Sequence, residues 1–118
     1  HVQAAAAYET ALRDLEAARA EPQSLCSLWI ARGEIELAAE RPERALASFE
    51  RALELLQHTD DPRLHADASF GSARAMREAG MTNASVAALA SAARDTYTHL
   101  GDHHATARVD AWLRAHDL

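Results

Sequence analysis

The chain has 118 residues, a formal net charge of −6 and one cysteine, so a single domain without an internal disulfide is expected. All twelve Lys and Arg positions are arginines that alternate with acidic residues, which excludes the clustered positive charge of a nucleic-acid-binding surface. No apolar run reaches the ~20 residues of a membrane span, and the lone thiol favours a reducing cytoplasm. Alanine, the strongest helix former, makes up about a quarter of the chain, whereas aromatic residues are sparse. The composition therefore predicts an all-α protein.

Five or six helices are predicted, in chain order, from the helical periodicity and from the breakers between them. They cover residues 2–20, 23–39, 42–58, 63–79, 82–100 and 103–116. Pro22, Pro62 and Asp102 open helical segments at intervals of 40 residues, and proline is well tolerated in the first turn of a helix. Gly80 follows the fourth predicted helix, where glycine commonly ends a helix in the left-handed conformation. A fixed interval between such breakers predicts an internal repeat.

A pattern of small and large side chains supports this repeat. In the third predicted helix, Phe49 follows Ala45 by four residues and precedes Ala52 by three, so that a ring lies between two small residues. The same spacing occurs in the opening helix, and a weaker copy occurs in the fifth. These copies are Ala4, Tyr8, Ala11 and Leu12, and Ser85, Leu89, Ala92 and Ala93. Gly33 costs its helix ~1 kcal/mol relative to alanine, which indicates that another helix crosses closely at that point.

These residues resemble the tetratricopeptide repeat, whose first helix carries Trp, Leu, Gly and Tyr and whose second helix carries Ala, Phe and Ala. The residues predicted to pack the repeat are the matching Trp29, Gly33, Ala45, Phe49 and Ala52, together with Leu53. Arg32 and Glu36 stand where Leu and Tyr are usual, and the period of about 40 residues exceeds that of the family. The resemblance indicates a divergent, long-helix relative of the kind found in actinobacterial transcriptional regulators and bacterial signalling proteins.

The resemblance implies antiparallel helix-pair repeats that stack as a short right-handed α-solenoid of five to six helices. Residues 23–58 and 63–100 would each form a repeat, residues 1–20 the second helix of a truncated repeat, and residues 103–118 a C-terminal capping helix. Because the chain begins within a predicted helix, it is expected to be part of a longer protein. The first helices of the pairs would line a concave groove, in which repeats of this family bind peptides.

The groove positions of the family, carried onto this sequence, give a set of candidate peptide-binding residues. They are Ser27, Ile30, Glu34 and Leu37 in the second predicted helix, Asp67, Phe70, Arg74 and Arg77 in the fourth, and Asp110 and Arg114 in the sixth. Arg74 and Arg77 are three residues apart, so both can reach one anionic group, which arginine holds with paired hydrogen bonds. The alternative is that these arginines pair with Asp67 or Glu78. In that case the missing repeats, or the first or last helix, would cover the apolar members.

Other chemistry is weakly indicated. His99, His103 and His104 form a histidine cluster, but a predicted turn interrupts the helix between them, so no metal site is expected. Cys26 is interpreted as a small buried side chain, and no catalytic residue or cofactor is assigned. The expected function is a non-catalytic protein- or peptide-binding module of a larger cytoplasmic regulator, which can also contact other domains of its own chain. The alternative is self-association, as a homodimer, through the open end of the array.

Overall fold

The computed structural model describes residues 2–17, 21–81 and 84–118, and this part of the chain contains six α-helices and no strand. The helices are α1 Val2–Ala17, α2 Pro22–Ala38, α3 Pro42–Leu56, α4 Pro62–Glu78, α5 Ala84–His99 and α6 His103–Ala115. The predicted all-α fold of five to six helices is therefore confirmed. The predicted end of the first helix and the predicted start of the fifth lie outside the described residues. None of the helices in these ranges is both long enough and apolar enough to cross a membrane.

Local residue chemistry determines where the helices begin and end. Proline begins α2, α3 and α4, since the first turn does not use its missing N–H group. Asp61 and Asp102 cap α4 and α6, and their carboxylates accept backbone N–H groups three residues later at 3.1 and 3.0 Å. Gly80 and Gly101 end α4 and α5 with φ values of +88° and +76°, a conformation that glycine adopts at little cost. Glu40 takes the same left-handed conformation after α2, with φ at +60°.

The helices pack against their neighbours in sequence order. α2 and α3 form one antiparallel pair and α4 and α5 form the next, while α1 packs on α2, α3 on α4, and α6 on α5. α2 also contacts α4, so the first helices of the two pairs lie side by side. The described residues therefore form an all-α, repeat-like array with an extent of 41 × 30 × 23 Å.

Phe49 is the central contact between the two helix pairs. Its fully buried ring lies against the backbone of Gly33 in α2 and against that of Gly71 in α4. A Cβ atom added to Gly33 would lie 2.6 Å from the ring Cζ, and one added to Gly71 would lie 2.5 Å from the same atom. Both distances are too short for real atoms, so the close approach of the ring requires glycine at both positions. The sequence pattern indicated Gly33 but not Gly71.

The second helix pair repeats the first with a shift of one residue in its second helix. Four buried residues of α3 have buried counterparts 41 positions later in α5. The α3 residues are Ala45, Phe49, Ala52 and Leu56, and the α5 residues are Val86, Ala90, Ala93 and Tyr97. In the first helices the interval is 40 positions, as for the buried Cys26 and Ala66. One residue is thus inserted between α4 and α5, and the predicted match of Ser85 and Leu89 to the α3 pattern is one residue out of register.

The C-terminal helix completes the core of the second pair. Val109 and Leu113 of α6 are buried in one cluster with Phe70 and Ala73 of α4 and with Tyr97 of α5. α6 packs on α5, and its Trp112 and Arg108 side chains reach Phe70 of α4. As a result, α6 extends the surface that α2 and α4 form together.

Candidate functional site

The predicted groove residues of α2 and α4 meet where these two helices lie side by side. The terminal nitrogens of Arg74 bond both carboxylate oxygens of Glu34, with Nη1 at 3.0 Å from Oε2. The same guanidinium lies over the Phe70 ring, with its Cζ atom 4.6 Å from the ring centroid. A paired hydrogen bond combined with stacking fixes the orientation of an arginine. Arg74 is therefore engaged within the chain and links the first helices of the two pairs.

Phe70, predicted as an apolar residue of the groove floor, is covered by its neighbours. Its exposed fraction is 1%, and Trp112 of α6 approaches it edge-on with ring centroids 5.6 Å apart. Arg108 of α6 lies over the same ring, with its Cζ atom 5.2 Å from the centroid. The sequence left open whether Phe70 is an exposed groove residue or is covered by another part of the protein. In the structure, the last helix covers it.

Ile30 and Leu37 line the α2 part of this surface and are half-buried. Both pack against the cluster formed by Ala45, Phe49 and Ala75. Ile30 also packs against the neighbouring cluster around Cys26. These two side chains therefore contribute to the core and still present an apolar edge to the surface.

Asp67 of α4 is held by Tyr97 of α5. The tyrosine, whose exposed fraction is 1%, donates a hydrogen bond from its hydroxyl to Asp67 Oδ1. Burial raises the pKa of the Asp67 carboxyl above its ordinary value, although the Tyr97 hydrogen bond and the charges of Arg63 and Arg108 act in the opposite direction. Burial, reinforced by the hydrogen bond to Asp67, also raises the pKa of Tyr97. The ionised form of Asp67 therefore carries a net desolvation cost in the folded chain.

We expect the stability of the Asp67→Asn variant relative to the wild type to increase with pH. Below about pH 3 the Asp67 carboxyl is mostly protonated in the folded and the unfolded chain alike, and its burial carries little charge penalty. As the pH rises toward the raised folded-state pKa, the unfolded chain loses the proton first. The wild-type free energy of unfolding therefore falls, while the amide is unaffected. Urea unfolding of both proteins from about pH 3 to 7 measures this difference.

The matched control for this comparison is Asp14→Asn, at an exposed carboxylate of α1. It makes the same change in net charge at a position without the Tyr97 contact. The difference in free energy of unfolding between wild type and Asp67→Asn is compared with the difference between wild type and Asp14→Asn. If the first varied with pH no more than the second, burial of the Asp67 carboxylate would have no energetic consequence. If the stability of Asp67→Asn relative to the wild type decreased as the pH rose, the pKa of Asp67 would be lowered in the folded chain and not raised.

The part of α6 that reaches this surface differs from the one that the sequence pattern assigned. Arg108, 41 positions after Asp67, reaches the Phe70 ring. Asp110, which the sequence pattern assigned to the groove, instead faces α5, where Arg94 Nη1 lies 3.4 Å from its Oδ1. Arg114, the other predicted member, is exposed in the last turn of α6. The α6 contribution to the surface is therefore Arg108 and Trp112, each two positions away from a predicted residue.

We call the surface formed by these side chains of α2, α4 and α6 the groove surface. Its members are Ile30, Glu34, Leu37, Asp67, Phe70, Arg74, Arg77, Arg108 and Trp112. Its carboxylates are already engaged, since Glu34 bonds Arg74 and Asp67 accepts a hydrogen bond from Tyr97. Arg77 and Arg108, by contrast, form no ion pair with any residue that the structure describes. The groove surface therefore has apolar edges and more arginines than carboxylates.

Within the described ranges, no group of three His, Cys, Asp or Glu side chains is arranged to hold a metal ion. The absence of a cofactor and of catalytic residues stays an expectation from the sequence. The roles of Arg108, Trp112 and Tyr97 were not indicated by the sequence pattern, although one signal for the register of Tyr97 was present. Asp61 and Asp102, which cap α4 and α6, are separated by 41 residues instead of 40.

Comparison of the chain with protein-family models, with curated proteins and with solved structures finds no match.

Proposed function

We propose that the chain is a tetratricopeptide-like, non-catalytic interaction module of a larger cytoplasmic regulator, and that its groove surface binds an acidic peptide segment. The imbalance of charge carries this proposal: Arg77 and Arg108 have no ion pair in the described part of the chain, whereas the neighbouring carboxylates are engaged. Two antiparallel helix pairs related by 40 to 41 positions support the resemblance to this repeat family. The contact of Phe49 with Gly33 supports it as well.

The spacing of the two cations suggests which peptide fits. Arg108 lies over Phe70, and Arg77 is two helical turns further along α4, or about 10 Å at 1.5 Å per residue. An extended peptide advances roughly 3.3 Å per residue. Acidic residues three positions apart would therefore match both arginines. Apolar residues between them would contact the exposed edges of Leu37 and Trp112.

The test uses a fluorescein-labelled nine-residue peptide in which two Glu residues, three positions apart, are embedded in Leu and Ser. Fluorescence anisotropy measures its affinity for the wild type and for the Arg77→Gln, Arg108→Gln double variant. We expect the double variant to bind about five- to tenfold more weakly, since two partly exposed charge pairs contribute up to ~1 kcal/mol each. Wild-type affinity should also fall between low and high salt, because exposed charges are screened.

Two controls separate groove binding from general attraction. The Arg13→Gln, Arg94→Gln double variant makes the same change in net charge at helices α1 and α5, and it should retain wild-type affinity. A peptide with Gln in place of Glu should bind to neither protein. Equal losses in the two double variants would overturn the groove as the binding site, and so would equal affinity for the Glu and Gln peptides.

Self-association stays the alternative prediction from the sequence. Light scattering on the same preparations distinguishes a monomer of 12.8 kDa from a dimer. A dimer that ignores the acidic peptide would favour the assembly function over the peptide-binding function. A monomer that binds the peptide would favour the groove.

A further inference from the structure

A cleft outside the groove surface lies between α2 and α3. Its volume is about 450 Å³, and its lining residues are Trp29, Arg32, Arg44, Ala47, Ser48 and Arg51. The four α3 members are spaced at i, i+3, i+4 and i+7, so they share one helix face. Three of the six lining residues are arginines, although the whole chain has a net charge of −6.

Several donors of this cleft lack an acceptor. The side chain of Arg32 is only 14% exposed, and the closest carboxylate oxygen among the described side chains, on Glu9, is 3.7 Å away, beyond hydrogen-bond distance. Nε of Arg32 and Nε1 of Trp29 are both buried without a hydrogen-bond partner among the described residues. Buried donors in folded proteins nearly always have an acceptor. The surplus of donors therefore marks a place where an acceptor-rich ligand would fit.

The carboxylates near the cleft approach its arginines only loosely. Glu36, which is fully buried, lies 3.7 Å from Nε of Arg44 and 4.0 Å from Nη1 of Arg41, and neither of its oxygens accepts a hydrogen bond from a described residue. Arg51 is engaged with Glu54 of its own helix at 3.0 Å. Arg32 and Arg44 therefore have N–H groups that donate no hydrogen bond to a described carboxylate.

The equivalent cleft of the second helix pair shows that the fold does not require these arginines. It lies between α4 and α5, has a volume of about 470 Å³, and is lined by His65, Ser69, Ser85, Ala88, Leu89 and Ala92. Its four α5 residues follow the four α3 residues by 41 positions, which is the interval of the buried core residues. Where the first cleft has Arg44 and Arg51, the second has Ser85 and Ala92. The same architecture thus forms with small, uncharged side chains.

We propose that the cleft between α2 and α3 binds a small multivalent oxyanion, through a phosphate or a carboxylate group. Arg44 and Arg32 donate hydrogen bonds to its oxygens, as guanidinium groups do to planar and tetrahedral oxyanions. The Trp29 ring, over which Arg32 is stacked with its Cζ 5.3 Å from the centroid, forms the apolar wall. This site is separate from the groove surface and does not depend on peptide binding there.

Trp29 provides the reporter for the test. In the Trp112→Phe background Trp29 is the one remaining tryptophan, so its fluorescence is followed during titration with pyrophosphate and, separately, with citrate, at constant ionic strength set by KCl. We expect a saturable change with a dissociation constant below about 1 mM for at least one of the two. Isothermal titration calorimetry on the wild-type chain checks that the background substitution is without effect. If only pyrophosphate binds, the natural ligand carries a phosphate group. If only citrate binds, the natural ligand carries a carboxylate group.

Arg44→Gln, at a side chain that is 53% exposed, should raise that dissociation constant at least tenfold. Arg94→Gln on α5 is the matched control with the same charge change, and it should leave the constant unchanged. Circular dichroism of each variant confirms that the helices are retained. Non-saturable responses to both anions would overturn the proposal, and so would equal weakening by the two substitutions.

Discussion

Replacement of Phe49 by alanine should lower the free energy of unfolding by about 3–5 kcal/mol, the range for removal of a buried aromatic side chain. The upper part of this range is expected because the cavity cannot refill. The ring lies against Gly33 and Gly71, which have no side chains to move into the space. Ala45 and Ala75, in the same buried cluster, are equally unable to extend. The two helix pairs would therefore lose a central contact between them.

The measurement is urea unfolding followed by far-ultraviolet circular dichroism. A chain of this length has a total stability of roughly 6–18 kcal/mol, so the variant should remain folded with a much lower midpoint. Leu53→Ala, on the same helix but only half-buried, is the control and should cost clearly less. If the two substitutions cost the same, Phe49 would be an ordinary core residue and not the bridge between the pairs.

The fold could be predicted from the sequence because its determinants are local. Alanine content, prolines at the first helical position and Gly80 after α4 specify six helices and most of their ends without reference to distant contacts. The pattern around Phe49 and Gly33 was also visible, since residues within two neighbouring helices carry it. Gly71 was not, because it lies 38 positions after Gly33, off the repeat interval. Its role depends on how α4 crosses α3, which no local pattern specifies.

The candidate site was harder to predict, since it depends on register between helices. The groove positions of the family assigned Asp110 and Arg114 to the groove, whereas Arg108 lies over Phe70 in the structure. In α5, the one inserted residue buries Val86 and Ala90 instead of Ser85 and Leu89. An interval of one residue rotates a helix face by about 100°. A small error in the assumed repeat period therefore leaves the predicted helices correct but assigns the wrong side chains to the surface.

The ion pairs between distant residues could not be predicted from the sequence either. Arg74 and Arg77 looked equivalent, three positions apart on one helix. In the structure Arg74 bonds Glu34, which lies 40 residues away in the chain, and Arg77 has no ion pair with a described residue. Which arginine is available to a ligand thus depends on the contact between α2 and α4.

Replacement of Gly71 by alanine should also destabilise the protein, although alanine is the better helix former. The gain in helix propensity is ~1 kcal/mol. Against it, the added Cβ would lie within 2.5 Å of the Cδ1 and Cζ atoms of Phe49, a ring that Gly33 holds from the other side. Overpacking of a rigid core typically costs 1–3 kcal/mol, and here the ring has no space into which it can turn. We therefore expect a net loss of about 1–2 kcal/mol in urea unfolding.

The Phe49→Leu background identifies the cause of that loss. Leucine is smaller and flexible, so Gly71→Ala should there cost little or become stabilising, because the propensity gain remains while the overlap is relieved. The coupling between the two substitutions should fall in the range of roughly 0.5–3 kcal/mol found for residues in contact. Gly80→Ala is the control, since Gly80 has φ at +88° and no atom within 4 Å of an added Cβ. Its cost arises from the backbone and should be the same with Phe or Leu at position 49. If Gly71→Ala behaved like Gly80→Ala in both backgrounds, the overlap with the ring would not be the reason that glycine is present at position 71.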